Sequence, residues 1–265
     1  MNWLEALILG ILQGLTEFLP VSSSGHLELG KVLLNTNYED DLAFTVLVHA
    51  ATVLSIIIVF WKDIINIISN VLLFKWNEET QFFIKIIISM IPVVIVGLFW
   101  KKNIESLFGG QVLFVGSMLV ITATILFLSN FANKDADKNV NYFKAIIIGL
   151  AQMVAILPGI SRSGATIGTA LLLGVEKSKA TRFSFLMVLL PILGASIVQI
   201  KDLTEAKSQV SIDFFPLFLG FIGAFISGLF ACRWMISIVK RGNLIYFAIY
   251  CLIIGLSAIV YKMVV

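Results

Sequence analysis

The sequence has little charge, little proline, and very few histidines and cysteines. Only 13% of the 265 residues are charged, with two histidines, two cysteines and five prolines. A soluble domain carries about one quarter charged residues, so so lean a surface excludes an ordinary soluble enzyme. A net charge of +3, with no basic stripe, excludes a nucleic-acid partner. Cys232 and Cys251 lie inside apolar runs and match no metal-ligand spacing, so they are read as packing residues. The N-terminus lacks a basic region and a small-residue cleavage site, so no separate signal peptide is expected.

What is abundant is apolar sequence: 59% hydrophobic residues and a mean hydropathy of +0.99. Six runs, near 43–61, 82–100, 111–130, 183–200, 214–236 and 244–263, are long enough to cross a hydrocarbon core of about 30 Å. Two further regions, 3–34 and 145–175, are apolar but broken by Pro, Ser and Gly, and read as re-entrant helix–turn–helix segments. Trp61, Trp76, Trp100 and Trp234 stand near run ends, where amphipathic rings favour the headgroup layer.

The two broken regions resemble each other. Leu19-Pro20-Val21-Ser22-Ser23-Ser24-Gly25-His26 is echoed by Leu157-Pro158-Gly159-Ile160-Ser161-Arg162-Ser163-Gly164, and Gln13 by Gln152, about 139 positions on. Trp61-Lys62-Asp63-Ile64 matches Ile200-Lys201-Asp202-Leu203 at the same offset. Gly97-Leu98-Phe99 matches Gly228-Leu229-Phe230, and Gly110–Phe114 resembles Gly242–Tyr246, at offsets of 131 and 132. One hairpin plus three spans per half makes the halves inverted. The fold class is therefore an all-α polytopic membrane protein, with six transmembrane helices and two re-entrant hairpins. It forms a single domain, 1–265, with repeat halves 1–140 and 141–265. Grouping 27–42, 101–110, 201–213 and the C-terminus on one side gives six basic residues there against twelve opposite. The positive-inside rule makes the second side cytoplasmic. The two polar turns then enter from opposite faces and meet near mid-membrane.

Their contents are the material of a site. Glu17 is a carboxylate on an apolar helix, where a charge costs a few kcal/mol and is functional by default. Gln13 lies one turn earlier on the same face, so the pair is suited to hold a divalent cation through oxygen or to position water. His26 is a candidate nucleophile, base or acid. His49, in an apolar run, reads as a packing or hydrogen-bonding residue. Ser22, Ser23, Ser24 and Gly25 offer hydroxyls and turn amides. Ser161, Arg162, Ser163, Gly164 and Thr166 add a guanidinium whose fork matches phosphate oxygens, completing an anion cradle. Small residues also allow close helix packing, but that does not explain an arginine between two serines. The residues alone point to a phosphate or pyrophosphate site inside the membrane, suited to a lipid bearing that headgroup.

The segments 13–26 and 157–166 resemble the bacterial undecaprenyl-diphosphate phosphatases of the bacitracin-resistance type, and the resemblance extends over essentially the whole chain. It implies hydrolysis of undecaprenyl diphosphate to the monophosphate and phosphate. It also implies recycling of the peptidoglycan lipid carrier, bacitracin resistance, dependence on a divalent cation (Mg2+ or Ca2+), and an outward-facing site in the bacterial cytoplasmic membrane. By position, Gln13 and Glu17 form the family's metal-associated element. Glu17, Ser23, His26 and Arg162 become catalytic residues. Ser22, Ser24, Gly25, Ser161, Ser163, Gly164 and Thr166 become phosphate-binding residues. Arg182-Phe183-Ser184-Phe185 also looks family-like. The nucleophile is His26, Ser23 or a water activated by His26. The expected partners are the polyprenyl diphosphate and membrane lipids; an oligomer is compatible with the pattern. The alternative is a lipid-carrier flippase or anion transporter using the same inverted-repeat site.

Overall fold

A computed structural model describes residues 2–34, 41–107, 111–132, 139–205, 214–242 and 244–264. Lys134, Lys138 and Lys207 of the charge pattern, and Gly110 and Asn243 of the repeat, lie outside them. The described residues form twelve helices: α1 (Trp3–Phe18), α2 (Ser23–Leu34), α3 (Asp41–Val59), α4 (Trp61–Leu72), α5 (Glu78–Phe99), α6 (Lys101–Glu105), α7 (Val112–Ser129), α8 (Tyr142–Val154), α9 (Arg162–Leu172), α10 (Lys177–Glu205), α11 (Phe214–Arg241) and α12 (Ile245–Val264).

Four of these, α5, α7, α11 and α12, are long and apolar enough to cross a membrane; α3 and α4 together make a fifth, bent by 76°. The run expected at 43–61 is α3, the bend falls at its end, at Phe60, and α4 is a helix that the apolar-run reading overlooked. Its one buried side chain is Ile67, an arrangement in which apolar length is a poor guide to helix length. The run expected at 183–200 lies within α10. Apolar side chains cover the outside: only 11% of the span window of α5 is buried, and Leu98, Phe99 and Trp100 are exposed. Such a surface is tolerated by lipid and not by water, so the protein is a multi-pass membrane protein.

Capping explains the broken regions. Asn2 and Glu5 form a reciprocal capping box that starts α1. It stops where Leu19, preceding Pro20, takes an extended conformation at ψ 145°. α8 starts on Asn141, whose side chain accepts from the Lys144 amide. The chain restarts at Ser161, whose Oγ accepts from Gly164 N at 3.0 Å. Ser22 does the same for Gly25 N at 3.2 Å.

The helices pack crosswise between the halves. α1 packs on α11, and its counterpart α8 packs on α5; α7 pairs with α12, and α3 with both α10 and α11. Small residues allow the close approaches: a Cβ on Gly10 would meet the Gly220 backbone, and one on Gly149 the Ser89 backbone. These are corresponding pairs, offset by 139 and 131 positions. The polar turns also touch reciprocally. A Cβ on Gly25 would lie 3.1 Å from Gly159 Cα, and one on Gly164 would lie 3.3 Å from Pro20 Cβ.

Candidate active site

The two turns deliver two helix starts to one carboxylate. Ser23 is the first residue of α2 and Arg162 the first of α9, 139 positions apart and equivalent in the repeat. Ser23 Oγ donates to Glu17 Oε2 at 2.5 Å, and Arg162 Nη2 donates to Glu17 Oε1 at 2.6 Å. Gln13 Nε2 donates to Oε2 at 2.9 Å. The Glu17 side chain is 4% exposed, against 27% for Arg162.

The pair is placed against the helix macrodipoles. Glu17 occupies the last turn of α1, where the field opposes an anion, and Arg162 the first turn of α9, where it opposes a cation. Each charge is offset mainly by the other. Conversely, an anion at the starts of α2 and α9 meets the amides that have no intrahelical acceptor. The Glu17 carboxylate occupies the Arg162 guanidinium, a fork that equally matches phosphate oxygens.

A cleft beside this cluster is lined on its polar side by Glu17, Gln152, Arg162, Ser163 and Thr166, and on its apolar side by Phe18, Ile56, Phe185 and Val188. Phe185 meets Phe18 and Phe60 edge-on, at 6.0 and 5.8 Å between centroids, which fixes the apolar wall.

The other predicted residues divide by what they bond. Ser22 and Ser161 use their hydroxyls as helix caps and are buried. Ser22 holds a left-handed backbone, φ 70°, a region where a non-glycine residue costs free energy. In the second turn the left-handed position is Gly159, φ 98°, where no side chain would be tolerated against the Val115 carbonyl. Thr122 of α7 pins that turn, donating to Gly159 O at 3.1 Å and accepting from Ser161 N at 3.0 Å. Ser163 Oγ donates to Leu19 O at 3.2 Å, joining the two turns. Ser24 is half-buried, 3.4 Å from Ser22 Oγ. Thr166 bonds Arg162 O at 2.8 Å and also Ser184.

His26 is bonded to other partners than Glu17. Its Nδ1 donates to Ser22 O at 2.8 Å, which leaves Nε2 to accept from the Tyr250 hydroxyl at 2.9 Å, with the rings stacked. His49 Nδ1 donates to Thr45 O at 2.8 Å, the hydrogen-bonding role expected of it. Both cysteines are buried and free, as read, and Cys251 Sγ donates to Pro20 O at 3.6 Å.

Four contributors were not expected from the sequence. Thr122 on α7 and Tyr250 on α12 carry no motif signal. Ser184 sat inside the family-like Arg182–Phe185 segment without an assigned role. Gln152 was noticed only as a repeat mark. In the same segment Arg182 ties α10 to α4 and α5, through Asp63 at 2.6 Å and Glu79 at 3.0 Å, with Phe82 under its guanidinium.

Among the described residues no group of three or more His, Cys, Asp or Glu side chains is arranged for a metal. The oxygen donors at the site are the Glu17 carboxylate and Gln13 Oε1, which is buried without a partner. That set fits a hard divalent cation that draws its remaining ligands from phosphate and water.

The model of the family described as Bacitracin resistance protein BacA matches residues 6–257. Proteins named undecaprenyl-diphosphatase are similar throughout: that of Christiangramia forsetii is 57% identical over 264 residues, covering 98% of both chains. Those of Bacteroides fragilis and Parabacteroides distasonis are each 51% identical, again over 98% of both chains. With two thirds of its length and more matched at such identity, the chain belongs to the bacitracin resistance protein BacA family.

Proposed function

We infer that this protein is an integral membrane phosphatase that hydrolyses undecaprenyl diphosphate to undecaprenyl phosphate and phosphate. It thereby recycles the lipid carrier of peptidoglycan synthesis and confers bacitracin resistance. The observation that carries the reading is the convergence of Ser23 and Arg162, each at a helix start, on the buried Glu17 carboxylate. The names of the relatives supply the substrate. The cleft suits it: one wall is charged and hydroxylated, the other apolar.

The terminal phosphoryl group takes the place that Glu17 occupies on Arg162. Arg162, the Ser163 hydroxyl and the free amides opening α2 and α9 then hold its oxygens and offset the charge in the transition state. Glu17, released from the guanidinium, stays within reach of Ser23 and accepts its proton. Ser23 Oγ bonds to the terminal phosphorus, and the bond to the bridging oxygen breaks. Undecaprenyl phosphate leaves with the electron pair. A serine paired with a carboxylate is an activated nucleophile by geometry; His26, held by Ser22 and Tyr250, shapes the start of α2. Glu17 and Gln13 would hold a divalent cation, Mg2+ or Ca2+, which when bound supplies positive charge to the phosphate oxygens.

The full topology is six spans and two re-entrant hairpins, in inverted halves 1–140 and 141–265 of one domain, with the site facing outward from the bacterial cytoplasmic membrane. The reciprocal packing of α1 on α11 and α8 on α5, and the reciprocal turn contacts, support the inverted halves. The excess of basic residues on the opposite side supports the orientation.

The test is phosphate release from undecaprenyl diphosphate by the purified protein in lipid vesicles, with Ser23→Ala beside the wild type. Release by the wild type and its loss in the variant are expected. Lipid reorientation with the diphosphate intact would instead identify a flippase, and full activity in Ser23→Ala would remove serine from the role of nucleophile.

A further inference from the structure

Gln152 is the equivalent of Gln13, yet its surroundings differ. Gln13 donates to Glu17, four residues on. The residue four after Gln152 is Ile156, which offers nothing to an amide. Gln152 is 1% exposed, and both Nε2 and Oε1 are buried without a hydrogen-bond partner. A buried unpaired amide atom is costly, on the order of 1–3 kcal/mol for each group, so a glutamine here needs a compensating partner. It lines the same cleft as Glu17, Arg162 and Ser163.

The two atoms specify that partner. The amide nitrogen suits a phosphoryl oxygen. The amide oxygen needs a hydrogen, which an ionised phosphate does not carry. The nearby Thr166 and Ser184 hydroxyls are already bonded to each other. A water molecule meets the requirement: it gives a hydrogen to Oε1 while Nε2 steadies the phosphoryl group. The free space in the cleft accommodates about one water. A glutamine that orients an attacking water in this way is an established device in phosphoryl transfer.

We propose that Gln152 is a positioning residue for the water that hydrolyses the phosphoryl group carried by Ser23. The water oxygen bonds to phosphorus, and the phosphorus–Oγ bond breaks. Ser23 recovers a proton from Glu17, and phosphate leaves with one proton of the water while the other passes to solvent. The inference rests on Ser23 as nucleophile.

The experiment compares wild type and Gln152→Leu in detergent. It follows undecaprenyl phosphate and phosphate separately, traps phosphorylated protein by acid quench, and records thermal unfolding. Gln152→Leu is expected to unfold no earlier than wild type, since it removes two unpaired polar atoms. It should release one equivalent of undecaprenyl phosphate in a burst and then turn over at least tenfold more slowly, with phosphoserine accumulating at position 23. Turnover within twofold of wild type, or slow turnover with neither burst nor phosphoserine, overturns the proposal. So does a lowered unfolding temperature with normal turnover per folded molecule, which would make Gln152 structural. Wild-type protein that hydrolyses the lipid while Ser23→Ala does so equally well would refute the serine reading, independently of Gln152.

Discussion

Replacing Arg162 with alanine separates stability from chemistry. The guanidinium makes a 2.6 Å ion pair with Glu17, whose side chain is 4% exposed. Removing one partner of a buried pair costs about 3–5 kcal/mol, because the other charge is stranded. The Arg162 side chain is 27% exposed, and Glu17 keeps its bonds from Ser23 and Gln13, so about 2–3 kcal/mol is expected here. Neutralising the stranded charge should recover most of it: Glu17→Gln with Arg162→Ala should return to within about 1 kcal/mol of wild type. Glu17→Gln alone should cost less than Arg162→Ala, because the stranded guanidinium is the less buried of the two groups. Activity follows a different rule. Loss of a transition-state charge clamp reduces turnover by roughly 10³-fold or more, and the double variant should stay inactive despite its restored stability. Thermal unfolding in detergent and phosphate release measure the two sides. A double variant no more stable than Arg162→Ala refutes the buried-pair argument; an Arg162→Ala enzyme within tenfold of wild-type turnover refutes the phosphate clamp.

Gly159→Ala should cost about 3 kcal/mol or more. The residue sits at φ 98° and its Cβ would lie 2.5 Å from the Val115 carbonyl oxygen; recovery of monodisperse, active protein at wild-type yield would contradict this. Tyr250→Phe keeps the ring stack on His26 but leaves Nε2 without its donor. A loss of about 1 kcal/mol is expected, read as a lower unfolding temperature, and an unchanged midpoint would show the hydrogen bond to be unimportant. Chelation of divalent cations should suppress phosphate release, with Mg2+ or Ca2+ restoring it. Gln13→Leu, which deletes the unpaired Oε1, should raise the cation concentration needed; identical cation titrations for the two proteins would exclude Gln13 as a ligand.

Much of the site was legible because polarity is conspicuous in apolar sequence. Glu17, Ser23 and Arg162 stood out from their neighbours, and the structure joins them directly. Ser22 and Ser161 stood out equally, but their hydroxyls serve as helix caps; a motif shows that a serine is present and not which way its oxygen turns. His26 was grouped with Glu17 by proximity in sequence, yet its ring is directed by Ser22 and Tyr250. Tyr250 lies 224 residues away from it, on a helix whose pattern is simply apolar. The bend at Phe60 went unseen because no proline or glycine marks it, and α4 was overlooked because Lys62, Asp63, Asn66 and Asn70 interrupt its apolar residues.

The sequence by itself determined that this is a helical membrane protein, and which polar residues interrupt its apolar runs. Composition and periodicity are properties of the chain, and the bilayer penalises every exception strongly enough to mark it. Only the tertiary structure decided how those residues divide their work. Whether Glu17 faces an arginine, whether Gln152 is left without a partner, and which helix supplies the donor for His26 depend on packing between halves of the chain more than a hundred residues apart. In the repeat Gln13 and Gln152 look alike; Glu17 stands one turn beyond the first and Ile156 one turn beyond the second. The fold turns that difference into one amide that braces a carboxylate and another held open to the cleft.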